Sequence, residues 1–139
     1  MTYVLDASVA ASWTLPDEAD AYGDAALETL SAHGAVAPEF FIVEIANVLN
    51  SAIRRNRISE EDRDGSLNDL MDSNISYYSI DRDICWRTIT KLAHNQMLSV
   101  YDAIYIHTAK QTGLPLATLD KKLARACSPV GVSLWKPTP

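Results

Sequence analysis

The sequence predicts an α/β domain: a three-layer α/β/α arrangement around a mainly parallel sheet of about five strands. Three observations carry that expectation. Short apolar runs alternate with longer segments whose apolar residues recur at helical spacing. Two of the short runs end on an acid, Asp6 after Tyr3-Val4-Leu5 and Asp120 after Leu116-Ala117-Thr118-Leu119. The 139 residues contain no internal repeat, linker or low-complexity stretch, so residues 1–139 read as one domain.

The elements follow in order. Tyr3-Val4-Leu5 reads as a buried strand. A helix is expected from about Asp17 to Ala32, with Tyr22, Ala26, Leu27 and Leu30 on one face, stopped by Gly34. Ala35-Val36-Ala37 gives a second strand closed by Pro38. From Phe40 to Arg55 the residues Phe41, Ile45, Val48, Leu49 and Ala52 form an apolar helical stripe. Ser59 reads as an N-cap with Asp62 as its capping-box partner, opening a helix to about Met71 whose apolar face is Leu67, Leu70 and Met71. Ile75 to Ile80 reads as a third strand. Asp81 or Asp83 caps a helix to about Asn95 with Ile84, Thr88, Ile89 and Leu92 inward. A further helix spans about Val100 to Thr112, stopped by Gly113 and Pro115. A fourth strand, Leu116–Leu119, a short helix from Lys121 to Ala126 and a fifth strand from Val132 to Trp135 complete the chain.

Twelve basic against eighteen acidic side chains give a formal charge of −6, which argues against a protein devoted to counterion-driven nucleic-acid binding. It leaves room for an enzyme that meets phosphates through a metal, since a bound divalent cation inverts the local charge. The longest uninterrupted apolar run, Phe40-Phe41-Ile42-Val43, falls far short of the ~20 residues a spanning helix needs. No basic leader precedes Asp6, and Cys85 and Cys127 form no C-x-x-C. A soluble cytoplasmic protein with reduced thiols and no membrane partner is therefore expected.

In open α/β sheets ligands bind at the carboxyl ends of the strands, which directs attention to Asp6 and Asp120. Taken singly, each is as readily a helix N-cap. Glu44 interrupts the apolar segment Phe40–Ala46, with Asn47 and Ser51 continuing a narrow polar stripe. Asp102 interrupts Val100–Ile106 in the same way, with Ser99 the better cap. Either acid could instead face solvent and favour a helix dipole. If all four converge on one sheet edge, two charges ~5.5 Å apart repel by roughly 3 kcal/mol at an effective dielectric of ~20. Such a cluster must hold protons or a cation. Oxygen donors without Cys or His favour Mg²⁺ or Mn²⁺ over zinc, and hard cations on carboxylates suit phosphodiester hydrolysis.

The opening Val4-Leu5-Asp6-Ala7-Ser8-Val9-Ala10, with Trp13 and Pro16-Asp17-Glu18 after it, resembles the start of a PIN-domain protein of the VapC toxin type. So do Glu44-Ile45-Ala46-Asn47-Val48-Leu49, Tyr101-Asp102-Ala103-Ile104-Tyr105 with Ala109, and Ala117-Thr118-Leu119-Asp120. The resemblance covers essentially the whole chain. It implies a metal-dependent endoribonuclease, usually the toxin of a type II toxin–antitoxin pair, that leaves a 5′-phosphate and a 3′-hydroxyl. On the family's pattern Asp6, Glu44, Asp102 and Asp120 are the acidic quartet that holds Mg²⁺ or Mn²⁺. Ser8 and Thr118 fall where the family places supporting hydroxyls. An RNA substrate, a homodimer and a small antitoxin are also implied, the antitoxin's tail covering the site and a basic side chain approaching the carboxylates.

Two basic groups bear on the RNA. Arg54, Arg55 and Arg57 read as a solvated helix end, whereas Lys121, Lys122 and Arg125 divide evenly between solvent and phosphate contact. His33, His94 and His107 are scattered; His107 sits about 140° around its helix from Asp102. Trp13, Trp86 and Trp135 read as packing residues. A receiver domain needs paired acids after the first strand and a phosphate-accepting Asp after the third, and neither is present. A haloacid-dehalogenase phosphatase needs Asp-x-Asp where this chain has Asp6-Ala7-Ser8. Two readings stay open beside the toxin: a PIN nuclease of RNA processing or of structured DNA, and a PIN-like binding module without catalysis.

Overall fold

The computed structural model describes residues 2–139. Its sheet has four parallel strands, β1 (Val4–Leu5), β2 (Ala35–Pro38), β3 (Ile75–Tyr78) and β4 (Leu116–Ala117), in the order β3-β2-β1-β4. The chain winds outward from β1 to β3 and then returns to place β4 on the other side of β1. That reversal opens a crevice beyond the carboxyl ends of β1 and β4.

Among the described residues, seven helices complete a three-layer α/β/α architecture. They are α1 (Ala7–Thr14), α2 (Ala21–His33), α3 (Phe40–Arg54), α4 (Glu60–Met71), α5, α6 (Val100–Thr112) and α7 (Lys121–Cys127). Helix α5 is continuous through Arg82–Ile84, a π-helical turn Cys85–Ile89, and Thr90–Gln96. Helix α6 packs on β1, β2 and β4, and Ala103 to Ala109 are buried all round it. Such a helix reads as apolar without a stripe because every side meets protein. Helix α1 packs between α2 and α3, and the buried Gly23 lets α2 approach until a Cβ there would lie 2.1 Å from Ser12 Oγ.

The core runs through Tyr3, Leu5, Phe41, Ile45, Leu49 and Ile106, each at most 2% exposed. The Tyr3 hydroxyl donates to the Ala26 carbonyl at 2.6 Å, and its ring lies 5.0 Å from that of Trp135. Burying those rings removes a large apolar area from water while the phenol keeps a partner.

Several expectations need correction. The fifth strand at 132–135 is a single parallel bridge from Leu134 to Leu116. Strands three and four are shorter than expected, the latter because Thr118 to Asp120 turn away to build the site described below. Helix α1 was not expected, since Ala7, Val9, Ala10, Ala11 and Ser12 are all buried and show no period. Residues 16–18 form only a 3₁₀ turn, and α2 begins at Ala21 with Asp20 as its cap. Leu27 and Met71 are exposed rather than inward. Ile84 and Thr88 also face out while Ile89 is buried, because a π turn adds a residue and shifts the helical phase. Trp86 is 67% exposed with Arg82 against its ring, whereas Trp135 packs in the core and Trp13 is half-buried, its indole N–H bonded to the Gly23 carbonyl. The Ser59–Asp62 capping box is formed in both directions, at 3.0 and 3.1 Å. Both cysteines are free thiols.

Candidate active site

Asp6, the residue after β1, is 5% exposed and stands at the start of α1 without making a side-chain cap bond. Its Oδ2 instead accepts from the Ser8 hydroxyl at 2.6 Å and from the Thr118 hydroxyl at 2.7 Å. Those hydroxyls in turn accept from the backbone N–H of Leu119 at 2.9 Å and of Asp120 at 3.0 Å. Each hydroxyl has one proton, and both protons are spent on Asp6, so the 3.3 Å approach of Ser8 to Thr118 is a contact within the network. The result is a polar stitch joining the end of β1 to the end of β4. It fixes the Thr118–Asp120 turn against Asp6.

Asp120 does act as a cap: its Oδ1 accepts from the N–H groups of Lys122 and Leu123 at 2.9 and 3.2 Å, opening α7. Asp102 is capped rather than capping, since its own N–H donates to Ser99 Oγ at 3.1 Å. Glu44 projects from the first turns of α3, half-buried, and its Oε1 accepts the Tyr105 hydroxyl at 2.5 Å. The two helices α3 and α6 thus contribute one acid each, joined by that hydrogen bond.

A cleft of about 400 Å³ is lined by all four acids and Ser8. The polar stripe expected on α3 continues its wall through Asn47 and Ser51. The wall ends on Arg55 and Arg57, so these two arginines border the cleft rather than projecting from a merely solvated helix end. Lys121, Lys122 and Arg125 are exposed outside the lining, although the Lys122 charge favours the ionised form of Asp102. His107 is buried on α6 and lies away from the cleft.

Burial, helped by neighbouring carboxylates, raises the proton affinity of Asp6, Glu44 and Asp102. Burial is the main cause for Asp6, working against its two hydroxyl donors, and the charge of Asp102 adds to it. Glu44 is raised by burial and then by the charges of Asp6, Asp102 and Asp120, with the Tyr105 hydroxyl opposing. Asp102 is raised by burial and then by Asp120. Four carboxylates from four elements therefore act on each other electrostatically, and a cation would relieve what protons otherwise relieve. As the side chains stand, no three Asp, Glu, His or Cys groups among the described residues enclose a volume fit for a metal ion. The oxygen-only donor set suits a hard divalent cation in its chemistry.

Tyr105 is the site residue that its sequence setting concealed. It sits three positions after Asp102 on α6, which places both on one helical face. Within an apolar run, however, a tyrosine reads as core, and most of this one is: it is 0% exposed. The ion pair of Arg57 with Asp17 at the mouth was equally hidden, because 40 residues separate the partners.

Comparison with known proteins agrees with this fold. The structure of PAE2754 from Pyrobaculum aerophilum superposes with a TM-score of 0.68 at 22% identity, covering 91% of this chain and 84% of that one. FitAcB from Neisseria gonorrhoeae superposes with a TM-score of 0.66 at 17% identity, covering 98% of both chains. At such identities the likeness speaks for the fold alone. No curated protein matches the chain. The PIN domain family model, which describes a family whose members are generally nucleases, matches residues 3–129. The chain belongs to the PIN domain family.

Proposed function

We propose that the protein is a Mg²⁺- or Mn²⁺-dependent endoribonuclease, the toxin of a type II toxin–antitoxin pair of the VapC type. The observation that carries the reading is the gathering of Asp6, Glu44, Asp102 and Asp120 along one cleft, where burial and neighbouring carboxylates raise the proton affinity of Asp6, Glu44 and Asp102. These four residues would hold the cation, their side chains turning inward from the positions they take in isolation. When bound, the ion supplies positive charge to the phosphate and a nucleophilic water at neutral pH. The chain's own residues do the rest. Ser8 and Thr118 hold the Asp6 carboxylate in one orientation, Tyr105 holds Glu44, and the amide contacts of Asp120 leave its second oxygen for the cleft.

The protein-partner side of the reading has support of its own. Beside Glu44, Ile42 and Val43 are 52% and 64% exposed, and beside Asp102, Tyr101 is 59% exposed and stacked on Phe40. Exposed apolar side chains next in sequence to two of the acids suit burial under a second subunit or an antitoxin, with a basic group entering the cleft. The cytoplasm is the expected compartment; no helix among the described residues is long and apolar enough to cross a membrane.

The test is single-turnover cleavage of labelled RNA by antitoxin-free protein in Mg²⁺, Mn²⁺ or EDTA. Cleavage is expected with either metal and none in EDTA. Asp6→Asn should lower the rate about a hundredfold or more, some 3 kcal/mol of barrier. Equal cutting by wild type and Asp6→Asn would mark a contaminating nuclease and remove the support.

A further inference from the structure

We propose that Arg55 and Arg57 form a subsite that grips the RNA backbone beside the cleaved phosphate, and that Asp17 and Glu18 occupy Arg57 until an RNA strand displaces them. The proposal rests on the nuclease reading above and adds to it where the strand is held and what competes with it.

The geometry starts with α3. Glu44 and Arg55 lie on the same cleft wall, with Asn47 and Ser51 between them, about three helical turns or ~16 Å of rise apart. A guanidinium at that distance meets a flanking phosphate, not the one at the acids. The intervening amide and hydroxyl are neutral and do not repel the backbone. Helix α3 then ends in a Schellman turn: Asn56 takes the left-handed conformation (φ 56°), its N–H bonds the Ile53 carbonyl, and the Arg57 N–H bonds the Ala52 carbonyl, both at 2.9 Å. That turn brings Arg57 to the cleft beside Arg55. Among the described residues, these two arginines are the only cations lining the cleft.

Arg57 is already engaged. Its Nε and Nη2 donate to the two oxygens of Asp17 at 3.1 and 2.7 Å, and Nη2 lies 3.5 Å from Glu18 Oε2. A carboxylate in this fork uses the same two donors that a phosphate would use. Asp17 and Glu18 stand on the exposed turn after α1, with side chains 62% and 48% exposed, so water screens the pair and it holds weakly. An RNA strand with a phosphate at the mouth can exchange with them. In a chain of net charge −6, backbone contacts have to be local, and this is where the cleft provides them.

The experiment measures binding of a labelled single-stranded RNA of mixed sequence to full-length Asp6→Asn protein in Mg²⁺ over a range of salt. Arg55→Ala and Arg57→Ala, added singly, should each weaken binding about three- to tenfold. Each should also reduce the slope of log affinity against log salt by about 0.7. Asp17→Asn with Glu18→Gln should tighten binding, and that gain should disappear when Arg57→Ala is also present. If Arg57 only pins the turn, breaking the pair from the acid side weakens binding as well, which overturns the proposal. Unchanged affinity in both arginine variants, or the same gain with Arg57 removed, overturns it too. Wild-type cleavage in parallel separates the two readings. Cutting with no role for the arginines sinks the subsite alone, whereas neither cutting nor binding by any form sinks the nuclease reading and the subsite with it.

Discussion

At the scale of single residues, three of the cleft acids carry a cost in stability at neutral pH. Asp6, Glu44 and Asp102 all bind protons more tightly in the folded protein than as free carboxyls. The folded state therefore carries more protons than the unfolded one as pH rises above about 4, and unfolding releases them. Stability from these groups is complete below the ordinary carboxyl range and is lost as pH rises through the raised values. Metal-free protein should accordingly melt at a lower temperature at neutral than at mildly acidic pH, and Mn²⁺ should flatten that slope by favouring the ionised forms. Asp6→Asn should raise the neutral-pH Tm by about 4 °C, roughly 1 kcal/mol, where a merely structural acid would lose stability on replacement. Tyr105→Phe removes the donor that steadies the Glu44 carboxylate; a loss of about 1–2 kcal/mol is expected in denaturant unfolding. The acids themselves were legible because each breaks an apolar pattern or ends a strand. Their hydroxyl partners were half legible: Thr118 lies in the run that ends on Asp120, yet β4 stops at Ala117 and the hydroxyl proton goes to Asp6, a choice that only the pairing of β1 with β4 dictates.

At the scale of elements, what the sequence shows is periodicity, and periodicity fails where surroundings are uniform. Helix α3 was readable because one face is apolar and the opposite one carries Glu44, Asn47 and Ser51. Helix α1 was not, because it is wrapped on nearly every side and Asp6 before it reads equally well as the end of a strand. The π turn in α5 is invisible to a search at 3.6 residues per turn, and it explains why Ile84 and Thr88 leave the core. Turn chemistry hides in another way. Met97 ends α5 in the left-handed conformation (φ 55°) and is 83% exposed, so its side chain gains little packing there. Met97→Gly should relieve the backbone crowding and stabilise the fold by about 0.5–1 kcal/mol after the extra freedom of the unfolded chain is counted. Chemical denaturation of the two proteins would check it, and a loss of stability would mean that the Met97 side chain packs in solution.

At the scale of the whole molecule, the strand order decides where chemistry can happen. Because β4 returns to the far side of β1, the chain brings Asp6 and Asp120 to neighbouring strand ends, and α3 and α6 add Glu44 and Asp102 from the adjoining layers. In a sheet that wound in one direction only, β4 would not lie beside β1, and Asp6 and Asp120 would not stand at neighbouring strand ends. On the proposed reading, the overall charge of −6 favours recognition of an RNA strand through local arginines and a cation in the cleft. On the proposed reading, the four carboxylates Asp6, Glu44, Asp102 and Asp120 form one divalent-cation site. Calorimetric titration of Mn²⁺ into wild type and into Asp6→Asn, Glu44→Gln, Asp102→Asn and Asp120→Asn tests it most directly. The expected result is binding by wild type that weakens about tenfold or more in each variant while all of them remain folded. Absence of binding by wild type, or four variants that bind Mn²⁺ as wild type does, would contradict the account.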